Sequence, residues 1–327
     1  MKRTYLIIFA LLVLLFFAAC LCSLFFGGSS ALDTGTESGR FILYQIRIPK
    51  TLTAILSGAS LSTAGLLLQV LFRNPLAGPY ALGISSGASL MVALCMLALQ
   101  GSALAVLSFA GRSVLILAAL TGSVLVTTLL LLVSKRVNSS ILLLLVGLMI
   151  AQICGALLGT MEYFADPSNL KAFVIWGLGS LSGTSTSDLP VFGTLVCLLL
   201  LSLLALLKPL NALLLGDDYA QNLGFHTPRI RFMIILVSSG LTGICTAFCG
   251  PIAFVGISIP ILSRLVFKTS RQEIHLLASA LMGSSLLLIA DAVTHHVVQG
   301  STLPVNVITT LIGAPLVLYT LFRTKQW

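Results

Sequence analysis

Residues 4 to 32 run without a single Asp, Glu, Lys or Arg, and nine more charge-poor apolar stretches follow. They lie near residues 52–72, 81–100, 113–133, 141–161, 190–207, 232–249, 252–267, 275–296 and 305–322. A hydrocarbon core about 30 Å thick takes roughly 20 apolar helical residues to cross. Inside it, only helices or closed barrels pair every backbone N–H and C=O. The pattern predicts an all-α polytopic membrane protein with ten transmembrane helices. Only 8% of the 327 residues are charged and 57% are hydrophobic, whereas soluble domains carry about 25% charged residues. That composition leaves little for a separate soluble domain, so one membrane domain over residues 1–327, with lipid as its main solvent, is expected.

The first run begins after the positive residues Lys2 and Arg3, and Phe17-Ala18-Ala19-Cys20 is similar to a lipoprotein cleavage site. The run is longer than a signal-peptide core and many spans follow it, which favours a retained first helix. Ten spans put both termini on one side. That side then holds Lys2, Arg3, Arg73, Lys135, Arg136, Lys208, Arg229, Arg231, Arg264, Lys268, Arg271, Arg323 and Lys325, and the other only Arg40, Arg47, Lys50, Arg112 and Lys171. The richer side, with both termini, faces the cytoplasm by the positive-inside rule. The net charge of +9 is thus a topology signal. No basic stripe with interleaved aromatics points to nucleic acid.

The seven cysteines lie mostly in apolar runs, where a thiol acts as a small hydrophobe. Cys245 and Cys249 stand one helical turn apart, but zinc sites normally take four ligands, so packing is the expectation and no metal site is assigned. No Gly-x-x-x-x-Gly-Lys-Ser/Thr phosphate loop and no His-Glu-x-x-His occurs. No catalytic residue is therefore assigned, and transport is the broad class that remains.

Two connections are long and polar. Residues 208–231 hold Gly216-Asp217-Asp218-Tyr219-Ala220-Gln221-Asn222-Leu223-Gly224. Acidic residues suit the start of a short helix and Gly224 its end. Either a docking knob for a cytoplasmic partner or a solvated connector fits that pattern. The second connection, residues 162–189, carries Glu162, Asp166, Pro167, Trp176 and a Gly/Ser/Thr-rich stretch; short amphipathic segments with an aromatic belt residue account for it.

Gly78-Pro79-Tyr80-Ala81-Leu82-Gly83-Ile84-Ser85 recurs, with one inserted residue, as Gly250-Pro251-Ile252-Ala253-Phe254-Val255-Gly256-Ile257-Ser258. Paired Gly/Pro interruptions in two halves mark transporters built from internal repeats with broken helices. The span count makes these repeats inverted. Residues 57–90 are dense in Gly, Ser and Ala, which either wall a pathway or simply let helices approach. Gln69 is a lone amide in an apolar span. Asp291 lies in an otherwise apolar helix, so its charge needs a partner, water or protonation. His295, one turn on, is within reach.

Three segments together resemble the permease subunits of type II ATP-binding-cassette importers, the FecCD/BtuC-type family that takes up iron-siderophore complexes, haem and cobalamin. They are Arg47-Ile48-Pro49-Lys50 with Gly58-Ala59, Ala64-Gly65, Gln69 and Arg73-Asn74-Pro75-Leu76-Ala77-Gly78-Pro79; Gly83-Ile84-Ser85-Ser86-Gly87-Ala88; and Gly250 through Gly256 to Pro260 and Arg264. Ala290-Asp291, Leu303-Pro304-Val305 and Gly313-Ala314-Pro315 also match, so the likeness runs from about residue 40 to 323.

The resemblance implies a multi-pass permease of the bacterial cytoplasmic (inner) membrane, working as a homodimer. Two cytoplasmic ATPase subunits would sit below it and a periplasmic or lipid-anchored substrate-binding protein above. The chain itself would bind no cofactor, the ATP and Mg being used by the ATPase. It implies ATPase coupling through Gly216, Asp217, Asp218, Ala220, Leu223 and Gly224. It implies docking of acidic residues of the binding protein on Arg47, Lys50 and His295, where complementary charge would set orientation. The translocation pathway and its gates would involve Gln69, Asn74, Pro75, Gly83, Ser85, Ser86, Gly87, Gly250, Pro251 and Gly256. His295 replaces a usual Arg, Ile261 a usual His, and Asn306 a usual Gly. The cargo expected is an iron complex, with cobalamin the alternative. Competing classes are a channel and an ion-gradient carrier with Asp291 as its intramembrane acid.

Overall fold

The computed structural model describes residues 2–26, 36–98, 109–137, 139–294 and 303–323. Among these there is no strand. Thirteen α-helices follow in order: α1 (Lys2–Phe26), α2 (Glu37–Ile42), α3 (Ile48–Phe72), α4 (Ile84–Ala93), α5 (Phe109–Ser134), α6 (Ser140–Tyr163), α7 (Pro167–Gly177), α8 (Leu189–Leu214), α9 (Asp217–Asn222), α10 (Thr227–Cys249), α11 (Val255–Phe267), α12 (Gln272–Thr294) and α13 (Val305–Arg323). A π-helical turn, Leu43–Arg47, joins α2 to α3, and a second, Leu94–Ala98, extends α4.

Among the described residues, seven helical stretches are long and apolar enough to cross a membrane, and three shorter apolar helices, Ile84–Leu97, Val255–Phe267 and Val305–Thr320, overlap the remaining predicted runs. The boundaries shift where local chemistry outweighs hydropathy. Helix α8 continues through Pro209 to Leu214, although proline removes one backbone donor, and Asn211 donates its side-chain amide to the Leu207 carbonyl beside the break (3.1 Å). The connection expected over 208–231 therefore narrows to the residues between α8 and α10. Within the second long connection, Pro167 occupies the first turn of α7 behind Asp166, where a missing N–H costs nothing.

The chain forms two compact units that interleave along the sequence: residues 1–66, 180–198 and 252–327 make the first, and residues 67–179 and 199–251 the second. In the first unit, the N-terminal part of α3 packs on α11 and α12 with almost no side chain between the backbones. A Cβ on Gly65 would strike the Gly256 carbonyl, and one on Gly58 the Gly283 carbonyl. Ser62 donates to the Ser279 carbonyl (2.8 Å) and Ser284 to that of Ile55 (2.8 Å), the polar contacts that hold helices together where lipid offers no hydrophobic drive.

In the second unit, α10 packs on α4 and α5. Gly87 of α4 lies against Gly122 of α5, and a Cβ on Gly243 of α10 would come within 2.7 Å of Ser123 Cβ. The packing is exchanged along the chain: the helix before the first Gly/Pro break meets the helices after the second, and the helix before the second break meets those after the first.

Both breaks turn on a left-handed residue. In the first it is Gly83 (φ +74°), which caps the 3₁₀ turn Pro79–Leu82 and opens α4. In the second it is Phe254 (φ +66°), whereas Gly256, the glycine aligned by sequence, lies inside α11. A non-glycine residue there is strained. Around it Ser258 Oγ donates to the Phe254 carbonyl (2.8 Å), Asn306 Oδ1 accepts from the Ala253 N–H (2.9 Å), and Gly313 presses against the Phe254 ring.

Candidate functional site

The second unit carries most of the predicted transport residues. Helix α9 begins after Gly216 (φ +124°) and ends before Gly224 (φ +84°), backbones that glycine adopts without steric cost. Ala220 is its buried face, while Leu215, Tyr219 and Leu223 are exposed and Asp218 points out beside them. A segment outside the apolar runs that exposes Tyr219 on a short helix and Leu215 and Leu223 at its two flanks is shaped for contact with protein. Asp217 faces inward. Its Oδ1 accepts from Arg73 Nη2 (3.0 Å) and its Oδ2 from Arg231 Nη2 (2.5 Å). The predicted coupling segment is thereby joined to the segment Arg73–Gly78, which holds Asn74 and Pro75 of the pathway set, a link that the sequence left open.

That segment is a tight turn. Asn74 N donates to the Gln69 carbonyl (3.2 Å), Asn74 Oδ1 accepts from Leu76 N (2.9 Å), and Ala77 N donates to the Asn74 carbonyl (3.1 Å). Pro75 sits half-buried within it and Gln69 is buried above it.

Beyond the turn, a cavity of about 270 Å³ is lined by Tyr80, Ser85, Ser86, Ser89, Ala151, Gln152, Cys154, Gly155, Leu158 and Pro251. Both copies of the Gly/Pro repeat contribute to it. Ser85 Oγ and Thr246 Oγ1 lie 3.2 Å apart, fixing α4 to α10 beside the opening. Gly250 (φ +71°) turns the chain so tightly that a Cβ there would lie 2.5 Å from the Trp176 carbonyl, and a Cβ on Gly83 would meet Ala151 N at 3.0 Å. Of the pathway residues, Ser85, Ser86 and Pro251 thus line the cavity and Gly83 and Gly250 shape its walls. Gly87 and Gly256 are consumed by helix packing, and Gln69, Asn74 and Pro75 form the turn below. Tyr80, Ser89 and Gln152 were not singled out from sequence. Gln152, a lone amide in an apolar run, carried the same signal as Gln69.

In the first unit the predicted intramembrane acid is paired. Asp291 Oδ1 lies 2.6 Å from Lys50 Nζ, and its Oδ2 accepts from Ser23 Oγ (3.0 Å), which lies 3.0 Å from Thr51 Oγ1. Arg47 donates through Nη1 to the Leu24 and Phe25 carbonyls (2.8 and 2.7 Å), neutralising the C-terminal end of α1. Arg47 is 4% exposed and Lys50 5%. Both expected docking residues are thus buried, with their charges held by groups of the chain itself. His295, the third docking residue, lies outside the described residues. Among the described residues no group of three or more His, Cys, Asp or Glu is arranged to hold a metal ion.

Comparison with known proteins gives a consistent picture. The model of the FecCD transport family matches residues 6–323. A probable iron chelatin transport system permease protein of Helicobacter pylori is 35% identical, covering 87% of this chain and 83% of its own. The hemin transport system permease protein HmuU of Yersinia pestis is 33% identical (90% and 87% covered), and the vitamin B12 import system permease protein BtuC of Yersinia enterocolitica 35% (89% and 84%). A solved structure described as an inward-facing conformation of a provisionally assigned metal-chelate type ABC transporter superposes with a TM-score of 0.85 at 28% identity, covering 96% of this chain and 98% of that one.

Proposed function

The chain belongs to the FecCD transport family, and from that premise we propose that it is the permease of an ATP-driven importer that carries an iron complex, a siderophore or haem, across the bacterial inner membrane by alternating access. That it is a multi-pass membrane permease of the metal-chelate, haem or B12 importer kind follows from the family and its relatives; the finer statements are our reading.

In that reading two copies of the chain enclose the path, and both termini are cytoplasmic. A binding protein delivers cargo from outside and two ATPase subunits grip α9. The observation that carries it is α9 and its flanks: a short helix clear of the apolar spans, tied down through Ala220 and Asp217, with Tyr219 on the helix and Leu215 and Leu223 just before and after it exposed. Closure of the ATPases would push this helix and rock the spans attached to it. The neutral hydroxyl and amide groups of Tyr80, Ser86, Ser89 and Gln152 suit a bulky organic complex passed on without tight ligation. Cobalamin remains the second reading because the B12 and iron-chelate relatives are equally similar, at 35% each.

The test is gentle purification of the tagged chain from its native membrane, with mass spectrometry of what accompanies it. A Walker-motif ATPase is expected, and Leu223→Asp, which puts a charge into the proposed apolar contact, is expected to lower its recovery by about tenfold or more, the effect of losing an interface anchor worth ~2 kcal/mol. Repeated recovery without any ATPase would overturn the reading. Uptake of radiolabelled iron-siderophore, competed in turn by haem and cobalamin, then decides the cargo.

A further inference from the structure

We propose that Asp217 acts as a two-armed strut. Its carboxylate, shared between Arg73 and Arg231, transmits displacement of α9 into two separate routes toward the cavity, and so sets how much cargo moves per ATP hydrolysed. The inference deepens the importer reading and depends on it.

Helix α9 hangs between two glycines with positive φ, Gly216 and Gly224, and a Cβ at either would meet nothing within 4 Å. Six residues so suspended would pivot without moving their surroundings unless tied to them. At the far end Gln221 Nε2 donates to Thr227 Oγ1 (3.0 Å), which holds α9 to the start of α10. At the near end the tie is Asp217, one oxygen on each arginine.

The two arms lead to one place. Arg73, itself in a left-handed conformation (φ +46°), opens the hydrogen-bonded turn through Asn74 and Ala77, and the chain continues directly into Tyr80 at the cavity wall. Arg231 belongs to the first turns of α10, whose Thr246 meets Ser85 at the same wall. A carboxylate can hold both routes together because it has two oxygens, and guanidinium–carboxylate bonds are directional. Its loss does more than release them, since two guanidinium groups are then left facing each other across the gap and repel.

The Arg73 arm is open to water, with Arg73 47% and Asp217 34% exposed, whereas Arg231 is 13% exposed. Water screens the Arg73 arm, and exposed pairs contribute little to folding, so Arg73→Gln removes one arm with little cost to the fold. That separates its signature from a purely structural one.

The experiment uses the complete complex of permease and ATPase in proteoliposomes, measuring cargo transported per ATP hydrolysed. Arg73→Gln and Arg231→Gln lie outside the apolar face of α9 and are expected to co-purify with the ATPase. In each, and in Asp217→Asn, transport per ATP is expected to fall about tenfold, the upper part of the range for residues that carry coupling. Asp217→Glu, which keeps the charge, is expected to recover most of it. An unchanged ratio in Asp217→Asn would overturn the strut. So would loss of the ATPase from the two arginine variants, which would make this a docking contact. If the unaltered chain moves cargo with no ATPase present, the importer reading falls and the strut with it, an outcome that no variant is needed to see.

Discussion

Lys50 and Asp291 show how a buried charge constrains a membrane protein. With Asp291 1% exposed and Lys50 5%, neither charge can be left behind when the other is removed. Lys50→Met is expected to destabilise the protein by ~3–5 kcal/mol, the cost of an uncompensated buried charge, seen as a lower thermal midpoint in detergent. Lys50→Met combined with Asp291→Leu is expected to recover most of the loss and to keep transport. Transport abolished in a well-folded double variant would instead favour Asp291 as an ion-carrying site. Sequence marked Asp291 as a residue in need of a partner, water or protonation and offered His295, which lies outside the described residues, on the same helix, because helical spacing is the only neighbour relation that a sequence displays. The structure pairs it with Lys50, 241 positions away in the chain. Asn306 teaches the same lesson. It stood out only as a departure from a family glycine, yet its side chain holds the N–H of Ala253 next to the strained Phe254.

At the scale of elements, small residues decide which helices can meet. Gly65 and Gly256, and Gly58 and Gly283, bring backbones together so closely that a single methyl has nowhere to go. Gly65→Ala is expected to cost ~1–3 kcal/mol by overpacking, whereas Gly155→Ala, where a Cβ would meet nothing within 4 Å, is expected to leave the thermal midpoint unmoved. Equal effects at the two positions would refute the packing account. Density of glycine and serine was plain in the sequence; which glycines pack and which line the cavity was not, since composition is the same for both. The repeat was legible too, but its register was not. The inserted residue moves the left-handed turn from the glycine to Phe254 and frees Gly256 for the helix contact.

For the whole molecule, the orientation proposed from the excess of Lys and Arg on one set of connections puts α9 in the cytoplasm and α7 outside. Once the seven native cysteines are replaced, Asp218→Cys is expected to resist a membrane-impermeant maleimide in spheroplasts and Lys171→Cys to react with it. The reverse pattern would invert the molecule and remove α9 from reach of any ATPase.

Hydropathy and composition determined that this chain is an all-helical membrane protein, and its short Gly/Pro motifs and basic residues pointed to the family and to an orientation. Those properties are local: each depends on residues close together in the chain, against a solvent of known polarity. Tertiary structure decided what depends on contacts between distant segments. It exchanged the helices between the two repeats, gave Lys50 to Asp291 and took Arg47 from the surface, and hung α9 on two arginines from separate segments of the second unit. Each was set by close packing and by the need of a buried charge for a neighbour, and such neighbours are chosen in three dimensions.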